Sequence, residues 1–352
     1  MAIVEKDVTF RQQNNAGGYD KLYVSTTATQ TKLTASTAAL FDGNIKDADA
    51  AMAAIAGMVK NIGDVKVKIL DPNGNPVQGA IIQGLTGTPV TAADGTAHGI
   101  IQSNPITVVS PYIDLANKTV DVTDYIGSFA TCEITLSAVT NKTIEISTSK
   151  AIKFSTATSA VDVCLVGGGG SGAPSVSAAT WHSTAGGGGG GGDVVNYYNI
   201  PITSNKSYQV IVGAGGEYPV TGYVVGSSGG DSKFDTYKAS GGNGASERTG
   251  GSGGGGNGGS AGNAGISNTT KSRFDDGVTF YSGGGAGGQT GTSDVALGGS
   301  PNGANGASAY YGKDATTAGI GGGGGGGSAY TDSYAIKSGS SGGNGLVVIR
   351  LK

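Results

Sequence analysis

The clearest alternation of apolar and polar positions lies before the middle of the chain. From Val65 to Ile69 every second residue is apolar, and the turn signal Asp71–Pro76 follows at once. Alternation with period two indicates a strand with one buried face, and the Asn-Gly pair within the turn favours a hairpin. We therefore predict an antiparallel β-sandwich over residues 64–140.

A helical pattern precedes this region. Its apolar positions recur in a 3-4-3-4-3 spacing, which keeps one seam facing a partner helix. These positions are Ile45, Ala48, Met52, Ile55, Val59 and Ile62. Asn44 is suited to cap the helix and Gly63 to end it. The pattern predicts a short coiled coil over 43–63 that needs flanking modules for stability. The alternative is an amphipathic helix packed on its own domain.

The first residues, 1–42, are predicted to form a small β module. Val8–Phe10 and Lys21–Val24 are β-prone, and Asn14–Gly18 between them is a turn signal. The chain is thus predicted to be mainly β, with an N-terminal β segment, a coiled coil and a sandwich preceding a glycine-rich domain over 141–352.

Glycine dominates that last part of the chain. Most of the 68 glycines lie there, with uninterrupted runs at Gly186–Gly192 and Gly321–Gly327. A flexible linker is the simplest interpretation, because glycine loses more conformational freedom on folding than any other residue. Linkers do not usually carry apolar, β-like stretches, however, and here such stretches interrupt the glycines. They are 161–166, 208–212 and 346–351.

The glycine spacing also excludes collagen, because it has no strict three-residue period and the chain holds only 9 prolines. What remains is an ordered lattice of extended helices of polyproline-II geometry, whose bare backbones approach closely enough to hydrogen-bond. The glycine clusters give an even number of passes. The chain would then return to its starting end, as pairing of the strands 161–166 and 346–351 requires.

Alternating passes assign each intervening segment to one end of the lattice. The end that carries the strands is predicted to hold 193–212, 231–240, 266–282 and 307–318. The opposite tip is predicted to hold 173–185, 217–225, 245–249, 289–297 and 328–338.

Aromatic residues are the candidate binding residues of these tip segments. Tyrosine and tryptophan offer rigid amphipathic area at a low entropy cost, which suits recognition loops. The candidates are Trp181, His182, Tyr218, Tyr223, Tyr330 and Tyr334. For any one of them, we expect capping of the lattice against water. For the set as a whole we expect recognition.

No residue pattern favours catalysis, and we expect no catalytic residue. No Gly-Lys-Ser or Gly-Lys-Thr follows a glycine run, so a phosphate-binding P-loop is absent. Asp275 and Asp276 fit a turn better than a carboxylate pair, and no partner for His182 is evident. The cysteines Cys132 and Cys164 have no metal-binding spacing. We expect buried free thiols, with one disulfide as the alternative, and neither metal nor cofactor.

Charge and hydropathy exclude two further classes of partner. The net charge of −3 offers no basic face for nucleic acid. No apolar run approaches the length of a membrane span, and the start of the chain lacks the pattern of a signal peptide. We therefore expect no nucleic-acid binding, no membrane insertion and no export by the general secretory route.

The order of motifs in the second half is similar to that of a known family. The motifs are Val-Gly-Gly-Gly-Gly-Ser-Gly at 166–172, Tyr-Gln-Val-Ile-Val-Gly-Ala-Gly-Gly at 208–216, Gly-Gly-Asp-Ser-Lys-Phe at 229–234 and Gly-Gly-Asn-Gly-Leu-Val-Val-Ile-Arg-Leu at 342–351. Together they resemble the glycine-rich C-terminal domain of tailed-phage and prophage tail-fibre proteins. They are also similar in principle to phage tip adhesins with a polyglycine-II sandwich.

Two shorter resemblances concern the first half. Tyr19–Thr27 resembles N-terminal segments of tail fibres, which implies that residues 1–42 attach the chain to other tail or baseplate proteins. The segments Val77–Ile82 and Thr91–Ala97 resemble transthyretin-like or carboxypeptidase-regulatory-like sandwiches, which implies a spacer.

These resemblances imply a virion protein that is assembled in the host cytoplasm as a homotrimer. The implied function is non-catalytic attachment to a glycan or protein receptor on the bacterial surface, through the loops between the glycine runs. Two alternatives stay open. One is a structural virion component, such as a head fibre, decoration or baseplate protein. The other is a polyglycine-II ice-binding or scaffold protein, which the irregular aromatic loops disfavour.

Overall fold

The computed structural model describes most of the chain. The described residues are 8–13, 19–24, 63–128, 130–140, 142–175, 184–219, 225–259, 261–290, 295–308, 310–330 and 335–352. The predicted coiled coil over 43–63 lies outside them except for Gly63. The described residues are mainly β structure, and their helical turns are 3-10 helices at Thr123–Tyr125 and Arg273–Asp275.

The chain divides into two compact units. The first comprises Met1–Leu70, Pro76–Val109 and Asn117–Ile134, and the second comprises Asp71–Asn75, Ser110–Ala116 and Thr135–Lys352. The short segments Asp71–Asn75 and Ser110–Ala116 are held in the second unit by buried carboxylates. Asp71 accepts a hydrogen bond from the Thr156 hydroxyl, and Asp114 accepts one from the Ser155 hydroxyl at 2.7 Å.

Antiparallel strands build the first unit. They are β1 (Val8–Gln13), β2 (Tyr19–Val24), β3 (Asp64–Leu70), β4 (Ile81–Gln83), β5 (Thr96–Ile100), β6 (Ile106–Val109), β7 (Lys118–Val120) and β8 (Thr131–Thr135). They form a β1-β2 hairpin and two three-stranded sheets, β5-β3-β8 and β4-β6-β7. Val65, Val67 and Ile69 on β3 are fully buried, which confirms the alternation predicted for that strand.

The second unit carries the remaining strands. They are β9 (Thr143–Ile146), β10 (Lys150–Ile152), β11 (Ala160–Val166), β12 (Thr184–Ala185), β13 (Val194–Pro201), β14 (Tyr208–Ile211), β15 (Ser232–Phe234), β16 (Tyr237–Ala239), β17 (Ser328–Tyr330), β18 (Ala335–Lys337) and β19 (Leu346–Leu351). They form the sheets β13-β11-β19-β9, β10-β14-β15-β16 and β12-β17-β18.

The two four-stranded sheets share one apolar core. Apolar side chains of β11 and β19 pack with those of β14 and β15 in a single cluster, in which the Tyr208 and Phe234 rings stack at 5.4 Å. Within the first of these sheets, β11 and β19 pair antiparallel from Val161 opposite Leu351 to Val166 opposite Leu346. The two strands that an even number of passes would bring to the same end are therefore paired.

Beyond these strands the glycine-rich segments hydrogen-bond to one another with a three-residue period. Along 167–173, successive amides donate in turn to three different neighbours, and every third amide returns to the same neighbour. The neighbours are 187–193, 227–230 and 340–343, at N···O distances of 2.8 to 3.1 Å. A three-residue repeat with bonds only between segments is the pattern of packed helices of polyproline-II geometry.

Glycine is required in this lattice because the segments pack backbone to backbone. A Cβ atom on Gly169 would lie 1.8 Å from the carbonyl oxygen of Gly322, far inside van der Waals contact. Only hydrogen fits at such a position.

The segments run alternately away from the sheets and back. We call the end next to β11 and β19 the strand end, and the opposite end the tip end. The hydrogen-bond partners define outward segments at 167–173, 213–216, 240–245, 254–259, 283–289, 302–307 and 321–327. The returning segments are 186–192, 226–230, 249–252, 263–267, 296–299, 315–319 and 338–345.

The prediction for 307–318 is wrong, since this segment turns at the tip end. The Ala307 amide donates to the Gly326 carbonyl. The amide of the following residue in that neighbour, Gly327, donates to the carbonyl of Ala173, where an outward segment ends. The error arose because the cluster 298–306 was taken as one pass. The chain reverses within it at 300–302, where the Gly303 amide donates back to Gly299.

Side chains satisfy amides at the periphery of the lattice. Asn side-chain oxygens (Oδ1) on neighbouring segments accept hydrogen bonds from glycine amides. The pairs are Asn344 with Gly215 at 2.9 Å, Asn257 with Gly250 at 2.8 Å and Asn305 with Gly298 at 2.9 Å. These asparagines complete the hydrogen bonding of edges that would otherwise be open to another backbone.

Candidate functional site

The tip end of the lattice holds the predicted binding residues that the structure describes. Tyr218 follows the outward segment 213–216, and Tyr330 ends β17, which begins just after the run Gly321–Gly327. The other predicted residues, Trp181, His182, Tyr223 and Tyr334, lie outside the described residues, so the structure brings none of them into a described cluster.

Tyr218 packs against the lattice and is half-buried. Its amide donates to the Ser341 hydroxyl at 2.9 Å. A Cβ atom on Gly339 would lie 2.5 Å from the Tyr218 ring, and one on Gly327 would lie 2.8 Å from the Tyr218 hydroxyl. The ring therefore fills space that only glycine leaves open. This geometry covers backbone, as expected of a cap.

Burial raises the pKa of the Tyr218 phenol. The Asp314 carboxylate raises this pKa further, while a hydrogen bond from the Gly339 amide lowers it. Asp314 itself accepts a hydrogen bond from the Ser338 amide at 2.9 Å, and Ser338 accepts one from the Ala315 amide through its carbonyl. These contacts join the turn after Ala307 to the last returning segment.

That turn carries two tyrosines that the sequence-based assignment missed. Tyr310 and Tyr311 have exposed fractions of 46% and 49%, with rings edge to face at a centroid distance of 5.0 Å. The Lys313 ammonium lies 5.8 Å from the centroid of the Tyr311 ring. The Tyr-Tyr-Gly-Lys order was visible in the sequence. It was set aside because 307–318 was placed at the strand end.

The charged side chains described at the tip end are of both signs. Glu247 and Arg248 are exposed at the turn between outward and returning segments. Lys313 and Asp314 are exposed at the turn next to the tyrosines. In the described part of the tip, Lys313 and Asp314 thus place one charge of each sign beside the aromatic rings.

At the strand end, a cluster of charged and polar groups around Asp162, here called the clamp, ties chain segments together. The buried carboxylate of Asp162 accepts hydrogen bonds from Arg350 Nη2 at 2.7 Å and from the Asn199 amide at 2.8 Å, and it lies 2.9 Å from Lys352 Nζ. The Arg350 guanidinium also lies over the Phe274 ring, 4.3 Å from its centroid. Because each of these groups faces another group of the same clamp, the cluster is built to hold chain segments together.

Asp275 and Asp276 hold a loop at the strand end. Asp276 accepts hydrogen bonds from the amides of Val278 and Thr279 at 2.9 and 2.8 Å, and these N–H groups lower its pKa. Asp275 accepts one from the Tyr198 hydroxyl at 2.5 Å. The turn predicted for this pair of carboxylates is what the structure contains.

The described residues offer little to a metal. Both cysteines are buried free thiols, as predicted, and burial raises the pKa of Cys164 to about 12. In the described ranges, no group of three or more His, Cys, Asp or Glu residues is placed to hold a metal ion. In the same ranges, no helix has the length and apolar character needed to cross a membrane.

Comparison with known proteins places the second half of the chain in a family. A search of curated proteins finds no significant match. Residues 145–352 match the glycine-rich domain family. This stretch contains the lattice, its tip and the strands of the second unit, except for the first two residues of β9. Since the matched stretch is more than half of the chain, the protein belongs to the glycine-rich domain family.

Proposed function

We propose that this protein is a receptor-binding fibre protein of a bacteriophage or prophage particle. It attaches the particle to the bacterial surface through the tip end of the glycine lattice, without catalysis. The observation that carries this proposal is the exposed pair Tyr310 and Tyr311 at the tip end of a scaffold whose segments are tied by backbone hydrogen bonds. The resemblance of the glycine motifs to tail-fibre domains supports it.

The physical mechanism is avid binding by a pre-organised surface. Each tip contributes a few aromatic contacts and binds weakly on its own. A lattice that is already ordered loses little conformational entropy on binding. Several tips on one particle then raise the overall strength through effective concentration. In this proposal the fibre is a homotrimer, and its N-terminal module joins it to other tail or baseplate proteins.

Binding of the labelled full chain to a panel of bacterial strains tests this function. A Tyr310→Ser, Tyr311→Ser variant removes the two exposed rings of the turn after Ala307. Tyr198→Ser is the matched control, because Tyr198 has a similar exposed fraction of 43% but lies at the strand end. Strain-selective binding that is lost in the tip variant and kept in the control supports receptor binding. Folded protein that binds no strain contradicts it.

The second candidate is a structural virion component without a receptor. The packing of Tyr218 over Gly339 favours it, since an aromatic ring that covers backbone needs no external partner. In that case the folded chain would bind no strain, yet it would co-purify with particles. Particles that lack this chain would then adsorb to cells normally, whereas a receptor-binding fibre is needed for adsorption.

A further inference from the structure

We propose that Asn243 is a site of self-modification in the folded chain, at which the Gly244 amide nitrogen attacks the Asn243 side chain and a carboxylate results. This inference goes beyond the proposed function, because it concerns the exposed surface of the lattice and needs no receptor.

Asparagine followed by glycine is the sequence in which this attack meets least hindrance, because glycine has no Cβ beside the attacking nitrogen and a permissive backbone. The chain contains six Asn-Gly pairs, which begin at Asn73, Asn243, Asn257, Asn302, Asn305 and Asn344. All except the first lie in the lattice. The pairs share the same local chemistry, so what separates them is how firmly the structure holds the groups that react.

The reaction balances with water as its co-reactant. Solvent takes the proton of the Gly244 amide, and the nitrogen forms a bond to Asn243 Cγ. The bond from Cγ to Nδ2 breaks, and Nδ2 leaves as ammonia. Water then opens the succinimide ring, either at Cγ to give aspartate or at the main-chain carbonyl carbon to give isoaspartate.

Three lattice pairs, those of Asn257, Asn305 and Asn344, are held on both sides of the peptide group that would have to rotate. The amide of each following glycine donates to a main-chain carbonyl, at 2.8 Å from Gly258 to Arg248, 3.0 Å from Gly306 to Ala296 and 2.8 Å from Gly345 to Gly213. Each asparagine carbonyl accepts from another segment, at 2.9 Å from Asn263, 3.3 Å from Thr316 and 2.8 Å from Gly321. Each Oδ1 also accepts from a glycine amide. The reacting groups therefore cannot approach each other without breaking hydrogen bonds.

The pair at Asn302 is held by its amide. The Gly303 amide donates to two carbonyls, that of Gly299 at 2.9 Å and that of Pro301 at 3.0 Å. Attack by this nitrogen would break both hydrogen bonds.

The pair Asn243-Gly244 is held firmly on one side only. The Asn243 carbonyl accepts from the Gly190 amide at 2.9 Å. The Gly244 amide donates to the Ser228 hydroxyl at 3.4 Å, which is long for a hydrogen bond. The Asn243 Oδ1 lies 3.5 Å from the same hydroxyl, and Nδ2 donates to the Ser252 hydroxyl. Among the described contacts, both reacting groups are thus held by exposed side chains, and water reaches them.

The isoaspartate product would not fit the lattice. It inserts an additional main-chain carbon before Gly244, and a Cβ atom on Gly244 would already lie 1.9 Å from the Gly226 carbonyl oxygen. The amides of Gly226 and Gly229 donate to the segment 240–245 at 2.7 and 2.8 Å. Modification should therefore separate 240–245 from 226–230 and add a negative charge between them.

Peptide mapping of the incubated full chain by mass spectrometry tests the site. The folded chain and the chain in urea are kept in the same mildly alkaline buffer, and the carboxylate fraction at each Asn-Gly pair is followed over time. In urea we expect similar rates at all six pairs. In the folded chain we expect Asn243 to react about tenfold faster than Asn257, Asn305 or Asn344. This ratio corresponds to a barrier lower by about 1.4 kcal/mol, comparable to one main-chain hydrogen bond.

Two variants assign the acidic form that ion-exchange chromatography separates from the incubated folded chain. Asn243→Gln should reduce this form, because glutamine would have to close a larger ring, which forms more slowly. Asn263→Gln is the matched control, since Asn263 is also exposed on the lattice but precedes Ala264. It should leave the acidic form unchanged. Peptide mapping of the unsubstituted chain decides the site even where a variant fails to fold.

Equal rates at Asn243 and at Asn257, Asn305 and Asn344 in the folded chain would overturn the inference. So would an acidic form that Asn243→Gln does not reduce, or a folded chain in which Asn243 stays intact while the chain in urea reacts. None of these measurements involves binding to cells, so their outcome is independent of the proposed function.

Discussion

Gly189 and Gly170 approach so closely that a Cβ atom on Gly189 would lie 2.0 Å from the Gly170 carbonyl oxygen. The contact is between backbones, since the Gly170 amide also donates to Gly190 at 2.9 Å. At the same level of the lattice, Gly189 donates to Gly324 and accepts from Gly285. The cohesion of this region therefore comes from peptide groups, where an ordinary domain uses side chains.

The close approach at Gly189 predicts a large effect of one added methyl group. Gly189→Ala forces backbone segments apart, and overpacking of this kind costs about 1–3 kcal/mol. Gly259→Ala is the matched control, because no heavy atom lies within 4 Å of a Cβ at Gly259 and its φ is not in the left-handed region. Urea unfolding should show a lower free energy of unfolding for Gly189→Ala and a change within about 0.5 kcal/mol for the control. Equal stability of the two variants would contradict a backbone-packed lattice at Gly189.

The sequence predicted the lattice but not the positions of all its reversals. The apolar stretches Val161–Val166 and Leu346–Leu351 were correctly predicted to be strands, because ordinary β propensity applies to them. In the structure they pair with each other. Reversals within glycine-rich segments have no such signal. Gly253 and Gly254 take φ values of 104° and 94° inside one long cluster, and glycine adopts such values in almost any sequence context. The assignment of 307–318 to an end failed at another reversal, Ser300–Asn302, where Asn302 takes a positive φ of 71°. The tyrosines of the following turn were missed with it.

The side chain of Asn344 is predicted to stabilise the edge of the lattice by accepting a hydrogen bond. Its Oδ1 accepts from the Gly215 amide at 2.9 Å, and Asn344→Ala removes this acceptor at a cost of about 1 kcal/mol. Asn344→Asp keeps an oxygen in the same place and should retain most of the stability. Thermal unfolding of the three proteins at neutral pH measures the difference. If the Asp variant were as unstable as the Ala variant, the hydrogen bond would not be the source of the effect.

The clamp around Asp162 predicts a loss of stability in acid. Burial raises the pKa of this carboxyl, but the Asn199 amide, Arg350 and Lys352 outweigh burial, so the pKa in the folded state lies below the ordinary value of 3.8. A lowered pKa means that this contribution to stability is present above pH 3.8 and is lost as the pH falls through the folded-state value.

Asp162→Asn isolates that contribution. We expect it to lower the free energy of unfolding by about 1–3 kcal/mol at pH 7, with a smaller difference from the natural sequence at pH 2 to 3. Urea unfolding across this pH range gives both values. A difference that is constant from pH 7 to pH 2 would show that the charge of Asp162 does not stabilise the fold.

The buried thiols predict slow modification of the folded protein. Burial raises the pKa of Cys164 to about 12 and also raises the pKa of Cys132. At pH 8 only about one in ten thousand Cys164 side chains would be thiolate, the reactive form. A chromogenic disulfide reagent should therefore label neither residue in buffer and both in urea without a reductant. The single variants Cys132→Ser and Cys164→Ser assign each signal, and rapid labelling in buffer would contradict burial.

Truncation of Tyr218 is predicted to affect stability, and truncation of Tyr311 to affect binding. The Tyr218 ring covers backbone at Gly339, whereas Tyr311 has an exposed fraction of 49%. Tyr218→Ala uncovers the backbone around Gly339 and should lower the free energy of unfolding by about 1–2 kcal/mol, less than for a fully buried aromatic ring. Tyr311→Ala should change it by less than about 0.5 kcal/mol while reducing binding to cells. Tyr218→Phe keeps the packing but loses the acceptor for the Gly339 amide, so it should fall between the other two in stability. If Tyr218→Ala kept full stability and lost cell binding, Tyr218 would act as a recognition residue and its capping role would be rejected.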